Sequence, residues 1–129
     1  MSHHVLVVDD DTSVRLVLGM QMRAEGWRVR EADTAEQAVA ILREEDVDAV
    51  VLDHRLPGAW GLRTSTHLRE QGFDGPIVIF TGNLDAAVRA EAAELDLPVV
   101  AKPDSPQVVD LLRDALGGPK RGRRQRRRR

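Results

Sequence analysis

The sequence VLVVDD at residues 5–10 joins a short apolar run directly to two carboxylates. The same arrangement returns as AVVLD at residues 49–53, and as PVVAK at residues 98–102, where the charged residue is a lysine. A continuous apolar run of this length is typical of a strand that is buried on both faces of a parallel sheet. Because α/β proteins place their ligands at the carboxyl ends of such strands, the charged residues that end these runs are candidate site residues.

Helix-like segments separate the apolar runs along the chain. Five strands are predicted, at residues 5–8, 27–30, 48–52, 76–80 and 98–101. Helices are predicted at residues 12–25, from 33 through at least 42, and at 62–71, 85–93 and 106–116. This alternation favours a parallel sheet covered by helices on both faces. The predicted fold class is therefore α/β, a flavodoxin-like (βα)5 doubly wound parallel sheet with strand order 2-1-3-4-5.

Two of the predicted helices carry N-terminal signals. Asp33 and Glu36 have the spacing of a capping pair. Ser105 is the expected N-cap of the last helix, with Pro106 at the first helical position. The strand at residues 27–30 is more polar than the others, so we expect it near an edge of the sheet.

Charge is distributed unevenly along the 129 residues. Residues 120–129, with the sequence KRGRRQRRRR, contain eight basic residues and no acid, although the whole chain has a net charge of only −2. The remainder has 11 basic residues against 21 acidic ones. We therefore expect an acidic globular domain over residues 1–118 and a basic, disordered Arg-rich tail over residues 119–129.

Composition excludes several classes of protein. The chain has no cysteine, so it has no disulfide, no thiolate zinc site and no cysteine nucleophile. No run of apolar residues approaches the roughly 20 that a membrane span requires. The N-terminus lacks the residue order of a signal peptide, so the expected location is the cytoplasm. The four histidines form no metal-binding pattern, and we expect them on the surface.

Three carboxylates at neighbouring strand ends predict a site for a hard cation. Mg²⁺ prefers oxygen ligands and usually takes one or two carboxylates together with waters and phosphate oxygens. Asp10 and Asp53 are the expected direct ligands, and Asp9 is expected to hold a metal-bound water. A backbone carbonyl just after Asp53 would complete the protein ligands. Mn²⁺ is an alternative metal for the same donors.

The same cluster suits phosphoryl transfer. A carboxylate can attack phosphorus as a nucleophile, and the reaction depends on positioning and on neutralising the phosphoryl oxygens. Lys102 is expected to neutralise one oxygen, the Thr81 hydroxyl is expected to donate to another, and Gly82 adds a backbone N–H. Asp53 is the expected nucleophile because it lies between the metal side and the lysine side.

Four segments together resemble the receiver domain of two-component response regulators. They are VLVVDDD at 5–11, VVLDHRLPGAWG at 50–61, IVIFTG at 77–82 and VVAKP at 99–103. Each motif is weak alone, but their order and spacing make the set specific. The resemblance extends from residue 4 to about residue 116 and omits only the tail.

The resemblance implies a role for each residue of the cluster. Asp53 would be the phosphoacceptor, and Asp9 and Asp10 the acid pair that holds Mg²⁺. Thr81 would supply the switch hydroxyl, and Lys102 would contact the phosphoryl group. The implied donor is a phosphohistidine on a sensor histidine kinase or a phosphotransfer protein, and the implied output is contact with a downstream protein. The family phosphorylates and dephosphorylates itself but is not otherwise enzymatic.

Further positions follow from the same resemblance. Arg55 would offer its backbone carbonyl to the metal. The side chains of Arg55 and Asn83 occupy the two positions that tune the lifetime of the aspartyl phosphate in this family. Pro103 matches a proline that usually follows the lysine through a cis peptide bond.

This chain departs from the family pattern at three positions. Val99 stands where the family usually has an aromatic switch residue. Asp104 replaces a common phenylalanine after the Lys-Pro pair. Trp60 precedes Gly61, where a small polar or acidic residue is frequent. We expect Trp60 to be an exposed anchor for a partner, because aromatic side chains dominate interface hot spots.

Two other functions remain open at the level of sequence. The chain could be a receiver-like binding module that is never phosphorylated, with the Arg-rich tail binding nucleic acid or another polyanion. It could also be a phosphatase of the haloacid dehalogenase type, although Ser13 stands where that motif requires Thr or Val. The sequence also leaves open whether phosphorylation produces a homodimer.

Overall fold

The computed structural model describes residues 3–56, 58–82 and 84–117 of the chain. Asn83 and the predicted Arg-rich tail over residues 119–129 lie outside the described residues. The strands, in chain order, are β1 His4–Val8, β2 Arg28–Ala32, β3 Ala49–Leu52, β4 Arg55–Leu56, β5 Ala59–Trp60, β6 Ile77–Thr81 and β7 Val99–Ala101. The helices are α1 Thr12–Ala24, α2 Ala35–Glu44, α3 Gly61–Glu70, α4 Ala86–Glu94 and α5 Ser105–Leu116.

A parallel sheet of five strands, in the order β2-β1-β3-β6-β7, forms the centre of the fold. Counted along the chain within this sheet, the order is 2-1-3-4-5, so the predicted flavodoxin-like topology is confirmed. The polar strand β2 lies at an edge, as expected. Strands β1, β3 and β6 are fully buried along their length, which explains why their sequences are continuous apolar runs.

Two hydrophobic clusters cover the two faces of the sheet. Alternate strand residues such as Leu6 and Leu52 pack with residues of α2, α3 and α4. The intervening residues, such as Val7 and Val51, pack with residues of α1 and α5. This division follows from the two-residue period of a strand, which sends neighbouring side chains to opposite faces. Among the described residues, no helix combines the length and apolar character needed to cross a bilayer.

The helix caps differ from the prediction by one residue in each case. Helix α2 is capped by Thr34, whose hydroxyl accepts the Gln37 N–H at 3.1 Å, and not by the Asp33 and Glu36 pair. Helix α5 is capped by Asp104, whose carboxylate accepts the Gln107 N–H at 3.3 Å. In both cases the true cap stands three residues before the N–H that it accepts, the distance that a short polar side chain can bridge.

The cap of α5 also corrects the expected role of Ser105. Ser105 is the first residue of the helix and is buried, and Pro106 follows inside the first turn. Asp104 is one of the departures from the family pattern. Its position as N-cap gives that departure a structural reason, because a phenylalanine could not accept a hydrogen bond from the helix terminus.

Candidate functional site

The candidate site lies where the carboxyl ends of four parallel strands are close together. Val8 pairs with Leu52, Leu52 pairs with Ile79, and Thr81 pairs with Ala101 in the strand registers. The polar residues that end or follow these strands are therefore neighbours at one edge. They are Asp9 and Asp10 after β1, Asp53 after β3, Thr81 at the end of β6, and Lys102 after β7.

Lys102 forms ion pairs with two of the predicted site carboxylates. Its Nζ lies 2.8 Å from Oδ2 of Asp9 and 3.5 Å from Oδ2 of Asp53. Both carboxylates are almost completely buried, with side-chain exposures of 3% and 7%, while the lysine side chain is 21% exposed. A single cation thus contacts both buried acids, and it lies closer to Asp9 than to the predicted nucleophile.

Burial and like charge make the Asp53 carboxylate difficult to ionise. Burial is the largest cause that raises its pKa above the ordinary value, and the charge of Asp9 raises it further. The charge of Lys102 and a hydrogen bond from the Arg55 backbone N–H act in the opposite direction but do not restore the ordinary pKa. The protein alone therefore does not fully offset the unfavourable effect of burial and of Asp9 on the negative charge of an ionised Asp53.

The Lys102 ammonium, in contrast, is held in its charged form. Burial lowers its pKa, but the hydrogen bond to Asp9 and the charges of Asp53 and Asp9 together outweigh burial and raise the pKa above the ordinary value. The site consequently places a charged ammonium beside the Asp53 carboxyl, whose own pKa remains raised.

Asp9, Asp10 and Asp53 form the one group of potential metal ligands found within residues 3–56, 58–82 and 84–117. One carboxylate oxygen from each lies within 4.8 Å of the other two. Asp9 and Asp53 are buried and Asp10 is exposed, so the donor set is open to solvent on one side. Oxygen donors that leave room for waters match the preference of Mg²⁺, so these residues fit the predicted metal.

Hydrogen bonds hold Asp9 and the turn that follows it in place. The Asp11 N–H donates to Oδ1 of Asp9 at 2.9 Å. The Arg15 guanidinium donates to the Asp9 carbonyl at 2.7 Å and to Glu31 on β2 at 3.0 Å. The side chain of Asp11 also caps α1 by accepting the Ser13 N–H at 2.9 Å. The turn after β1 is therefore fixed by charged contacts that the sequence analysis did not identify.

The remaining predicted site residues lie on or next to strands β6 and β7. Thr81 is 1% exposed, and its carbonyl accepts the Lys102 N–H at 3.0 Å. Gly82 is exposed and follows directly. Val99 is half-buried on β7, opposite Ile79 of β6. The peptide bond between Lys102 and Pro103 is cis, as the resemblance implied.

A small antiparallel hairpin, β4–β5, stands directly after Asp53 and was not predicted. Arg55 pairs with Trp60 across it. The Trp60 ring stacks on the His54 ring with centroids 5.1 Å apart, and the Arg55 guanidinium lies 5.8 Å from the Trp60 ring centroid. Trp60 is 52% exposed, which agrees with the expected exposure, while its role as an anchor for a partner stays a prediction. Two-residue strands carry no periodic pattern, which explains why the sequence analysis missed this element.

The expectation that the histidines lie on the surface is wrong for His3, His4 and His54, which are buried. His3 packs edge-on against Trp27, and His4 contacts the Asp46 carbonyl at 3.1 Å and Glu45 at 3.4 Å. Histidine combines an apolar ring with polar atoms, so burial depends on partners that are distant in sequence. No local pattern reveals those partners.

Gly61 brings helix α3 into close contact with the segment that carries Asp53. Its N–H donates to the His54 carbonyl at 2.5 Å. A Cβ at this position would overlap the Asp53 carbonyl oxygen and would lie 2.6 Å from the His54 Cα. Only a residue without a side chain allows this approach, so Gly61 helps to set the position of the candidate nucleophile.

Comparison with known proteins finds relatives that match most of the chain. The family model described as the response regulator receiver domain matches residues 5–113. The transcriptional regulatory protein SrrA of Staphylococcus aureus is 32% identical over 117 residues, which are 90% of this chain and 48% of SrrA. The chain therefore spans about half the length of the curated relatives that it matches.

Solved structures show the same fold. A CheY-like receiver domain protein from Methanospirillum hungatei superposes with a TM-score of 0.83 at 19% identity, covering 90% of this chain and 94% of that one. The response regulator TrrA from Thermotoga maritima, in complex with Mg²⁺ and a beryllium fluoride, has a TM-score of 0.77 at 25% identity, with 88% and 99% covered. A receiver domain of a Pseudomonas aeruginosa sensor histidine kinase, with magnesium coordinated in its active-site cleft, has a TM-score of 0.79 at 25% identity, with 91% and 99% covered.

Proposed function

The chain belongs to the response regulator receiver domain family, and from this premise we propose that Asp53 is its phosphoacceptor in two-component signalling. The observation that carries the proposal is a buried carboxylate at the end of a central strand, 3.5 Å from the Lys102 ammonium and within 4.8 Å of two further aspartates. The donor is a phosphohistidine on a sensor histidine kinase or a phosphotransfer protein. The comparisons give no support to the haloacid dehalogenase alternative or to a module that is never phosphorylated.

The transfer moves one phosphoryl group between two side chains. A carboxylate oxygen of Asp53 forms a bond to phosphorus, and the bond between phosphorus and the imidazole nitrogen of the donor breaks. The electron pair of that bond stays on the imidazole, which takes up a proton. Asp53 must be ionised to attack, so its raised pKa makes the reaction sensitive to acid.

Lys102 is well placed to respond to the added charge. Its Nζ lies between Asp9 and Asp53 and remains charged. A phosphoryl group on Asp53 would bring three oxygens to this region, and the ammonium can move from Asp9 toward one of them. The Thr81 hydroxyl and the Gly82 N–H are the proposed donors to the other oxygens, because preorganised donors are what phosphoryl transfer requires.

The proposed metal is Mg²⁺, with Mn²⁺ as an alternative. When bound, the ion would neutralise charge on the carboxylates and on the phosphoryl oxygens. Asp10 and Asp53 would ligate it directly, Asp9 would hold a metal-bound water, and Arg55 would contribute its backbone carbonyl. The charge of an ionised Asp53, which Lys102 and the Arg55 N–H offset only in part, is the feature of this structure that fits a bound cation.

The aromatic switch residue that usually transmits the signal in this family is replaced by Val99. Signal output in this chain therefore requires a different explanation. A half-buried valine cannot alternate between buried and exposed positions as a large ring does. We propose that phosphorylation alters the surface formed by the loop after Thr81 and by β7 and α5, and that a downstream protein binds there. Beyond its own phosphorylation and dephosphorylation the domain would catalyse no reaction.

Phosphotransfer from a small phosphodonor in the presence of Mg²⁺ tests the proposal. Separation on a phosphate-affinity gel should show a shifted band for the wild-type chain and none for Asp53→Asn. The phosphatase alternative is tested by measuring the turnover of an aryl phosphate by the same chains and by Asp9→Asn. Turnover that survives Asp53→Asn but is lost in Asp9→Asn would overturn the proposal, because the nucleophile would then be Asp9.

A further inference from the structure

Trp60 contacts both residues that follow the proposed phosphoacceptor. It lies directly opposite Arg55 in the β4–β5 hairpin, where cross-strand side chains interact. The Arg55 guanidinium lies 5.8 Å from the Trp60 ring centroid, within the range of a cation–π contact. The Trp60 ring also stacks on His54, with centroids 5.1 Å apart and an interplanar angle of 29°.

The His54 side of this stack is firmly held. The His54 ring is buried, and its Nδ1 has no hydrogen-bond partner within the described part of the chain. Burial, and not a hydrogen bond at that nitrogen, restricts the movement of the ring. The His54 carbonyl accepts the Gly61 N–H at the start of α3, so the platform beneath Trp60 is fixed at both its backbone and its ring.

Arg55, in contrast, depends on Trp60 for its position. Its side chain is exposed, and cation–π contact with Trp60 is the side-chain interaction that the described residues show for it. Arg55, Leu56, Gly58 and Trp60 line a surface depression of about 350 Å³. A guanidinium that is released from the Trp60 ring therefore has open space to occupy beside the hairpin.

We propose that Trp60 is a positioning residue that holds the Arg55 side chain beside Asp53 and thereby lengthens the lifetime of the aspartyl phosphate. This inference rests on the proposed function of Asp53. In hydrolysis, a water oxygen bonds to phosphorus, the bond between phosphorus and the Asp53 oxygen breaks, and the carboxylate regains the electron pair. The proton of the water passes to solvent or to the released phosphate. Arg55 donates its backbone N–H to the Asp53 carboxylate, so its side chain leaves the main chain next to the phosphoryl group, and restraint of that side chain by Trp60 would narrow the approach of the water.

Dephosphorylation after removal of the phosphodonor tests the inference, with Mg²⁺ held constant. Trp60→Ala should shorten the half-life about two- to five-fold, the factor that corresponds to an exposed cation–π contact. Trp60→Leu should shorten it equally, because it keeps apolar bulk but has no aromatic face. Trp60→Phe should restore most of the wild-type half-life.

A double-substitution cycle separates positioning from a general structural effect. Arg55→Ala should also shorten the half-life, and adding Trp60→Ala to Arg55→Ala should change it no further. Thermal unfolding of each variant checks that the fold is kept, and Trp60→Leu carries the test if Trp60→Ala does not fold.

An unchanged half-life in both Trp60→Ala and Trp60→Leu would overturn the inference, as would a Trp60→Ala effect that persists in the Arg55→Ala background. Either result leaves the proposed function intact, since the wild-type chain is phosphorylated in those experiments. A wild-type chain that accepts no phosphoryl group would overturn the proposed function itself, so the two failures are distinguishable.

Discussion

At the scale of single residues, Asp53 combines two properties that oppose each other. Its carboxylate must be ionised to attack phosphorus, but burial and the neighbouring Asp9 favour the neutral form and raise its pKa. Lys102 offsets this only in part, because its closer contact is with Asp9. The protein therefore maintains a reactive carboxylate at a cost in stability, as functional sites often do.

The first prediction is that Asp53→Asn stabilises the metal-free protein at neutral pH. A raised pKa means that the folded state binds the Asp53 proton more tightly than the unfolded state does. The stability contributed by Asp53 is therefore fully present below the ordinary pKa of 3.8 and is lost as pH rises through the raised value. Thermal unfolding in a chelator should give a higher Tm for Asp53→Asn at pH 7.

The advantage of Asp53→Asn should shrink on acidification, because the wild-type carboxyl becomes neutral as well. Asp114→Asn, at an exposed acid on α5, is a control that should leave Tm nearly unchanged at both pH values. A lower Tm for Asp53→Asn than for wild type at pH 7, in the chelator, would contradict the account of the raised pKa.

The second prediction concerns Lys102. Its ammonium is the cation in contact with both buried acids, so Lys102→Ala should slow phosphorylation by a small phosphodonor about 10²-fold or more, the effect of losing one preorganised donor. Arg89→Ala, at an exposed position on α4, removes a cation elsewhere and serves as the control. Initial rates on a phosphate-affinity gel measure both, and equal rates for Lys102→Ala and the wild type would count against a role for Lys102.

At the scale of elements, helix α3 matters because it begins against the backbone of Asp53 and His54. The third prediction is that Gly61→Ala destabilises the protein by about 1–3 kcal/mol, the usual cost of overpacking, because the new Cβ would meet backbone atoms that cannot move aside. Denaturant unfolding measures the change, and phosphorylation should also slow because the Asp53 segment must shift.

Gly19→Ala is the matched control for Gly61→Ala. Gly19 lies in helix α1, and a Cβ there would meet the far end of the flexible Arg23 side chain, 2.9 Å from its Nη1. Alanine favours a helix over glycine by about 1 kcal/mol, so Gly19→Ala should be neutral or stabilising. Equal destabilisation by the two substitutions would contradict the structural role assigned to Gly61.

The elements that were predicted correctly are those with a sequence pattern that extends over several residues. The buried strands are recognisable in the sequence as continuous apolar runs. The charged residues that follow these runs were correctly predicted to lie together in one cluster. The hairpin β4–β5 and the His54 and Trp60 stack were missed because they depend on two-residue strands and on contacts made in three dimensions. The predicted caps of α2 and α5 each lie one residue from the observed caps, Thr34 and Asp104. Adjacent polar residues can cap a helix equally well, and the backbone conformation decides between them.

At the scale of the whole molecule, the described residues contain every residue of the proposed site except Asn83. The fourth prediction is that removal of residues 119–129 leaves the rate and extent of phosphorylation unchanged, because the cluster between Asp9 and Lys102 is complete without them. A phosphate-affinity gel with a small phosphodonor measures both quantities. A marked loss of phosphorylation would show that the domain boundary at residue 118 is wrong.

The same truncation tests whether the tail binds nucleic acid. Retardation of labelled RNA and DNA at two salt concentrations compares the full chain with the truncated one. Binding that disappears on truncation and weakens steeply with salt would support contact between the eight basic residues and phosphates. With no aromatic residue in the tail, such binding should show little sequence preference.

The identity of the phosphoacceptor is the central claim, and intact mass spectrometry tests it most directly. The wild-type chain and Asp53→Ala are incubated with Mg²⁺ and a small phosphodonor and are measured side by side. We predict an increase of about 80 Da, one phosphoryl group on a carboxylate nucleophile, on the wild-type chain alone. An adduct of the same mass on Asp53→Ala, or its absence from the wild type, would contradict the assignment of Asp53.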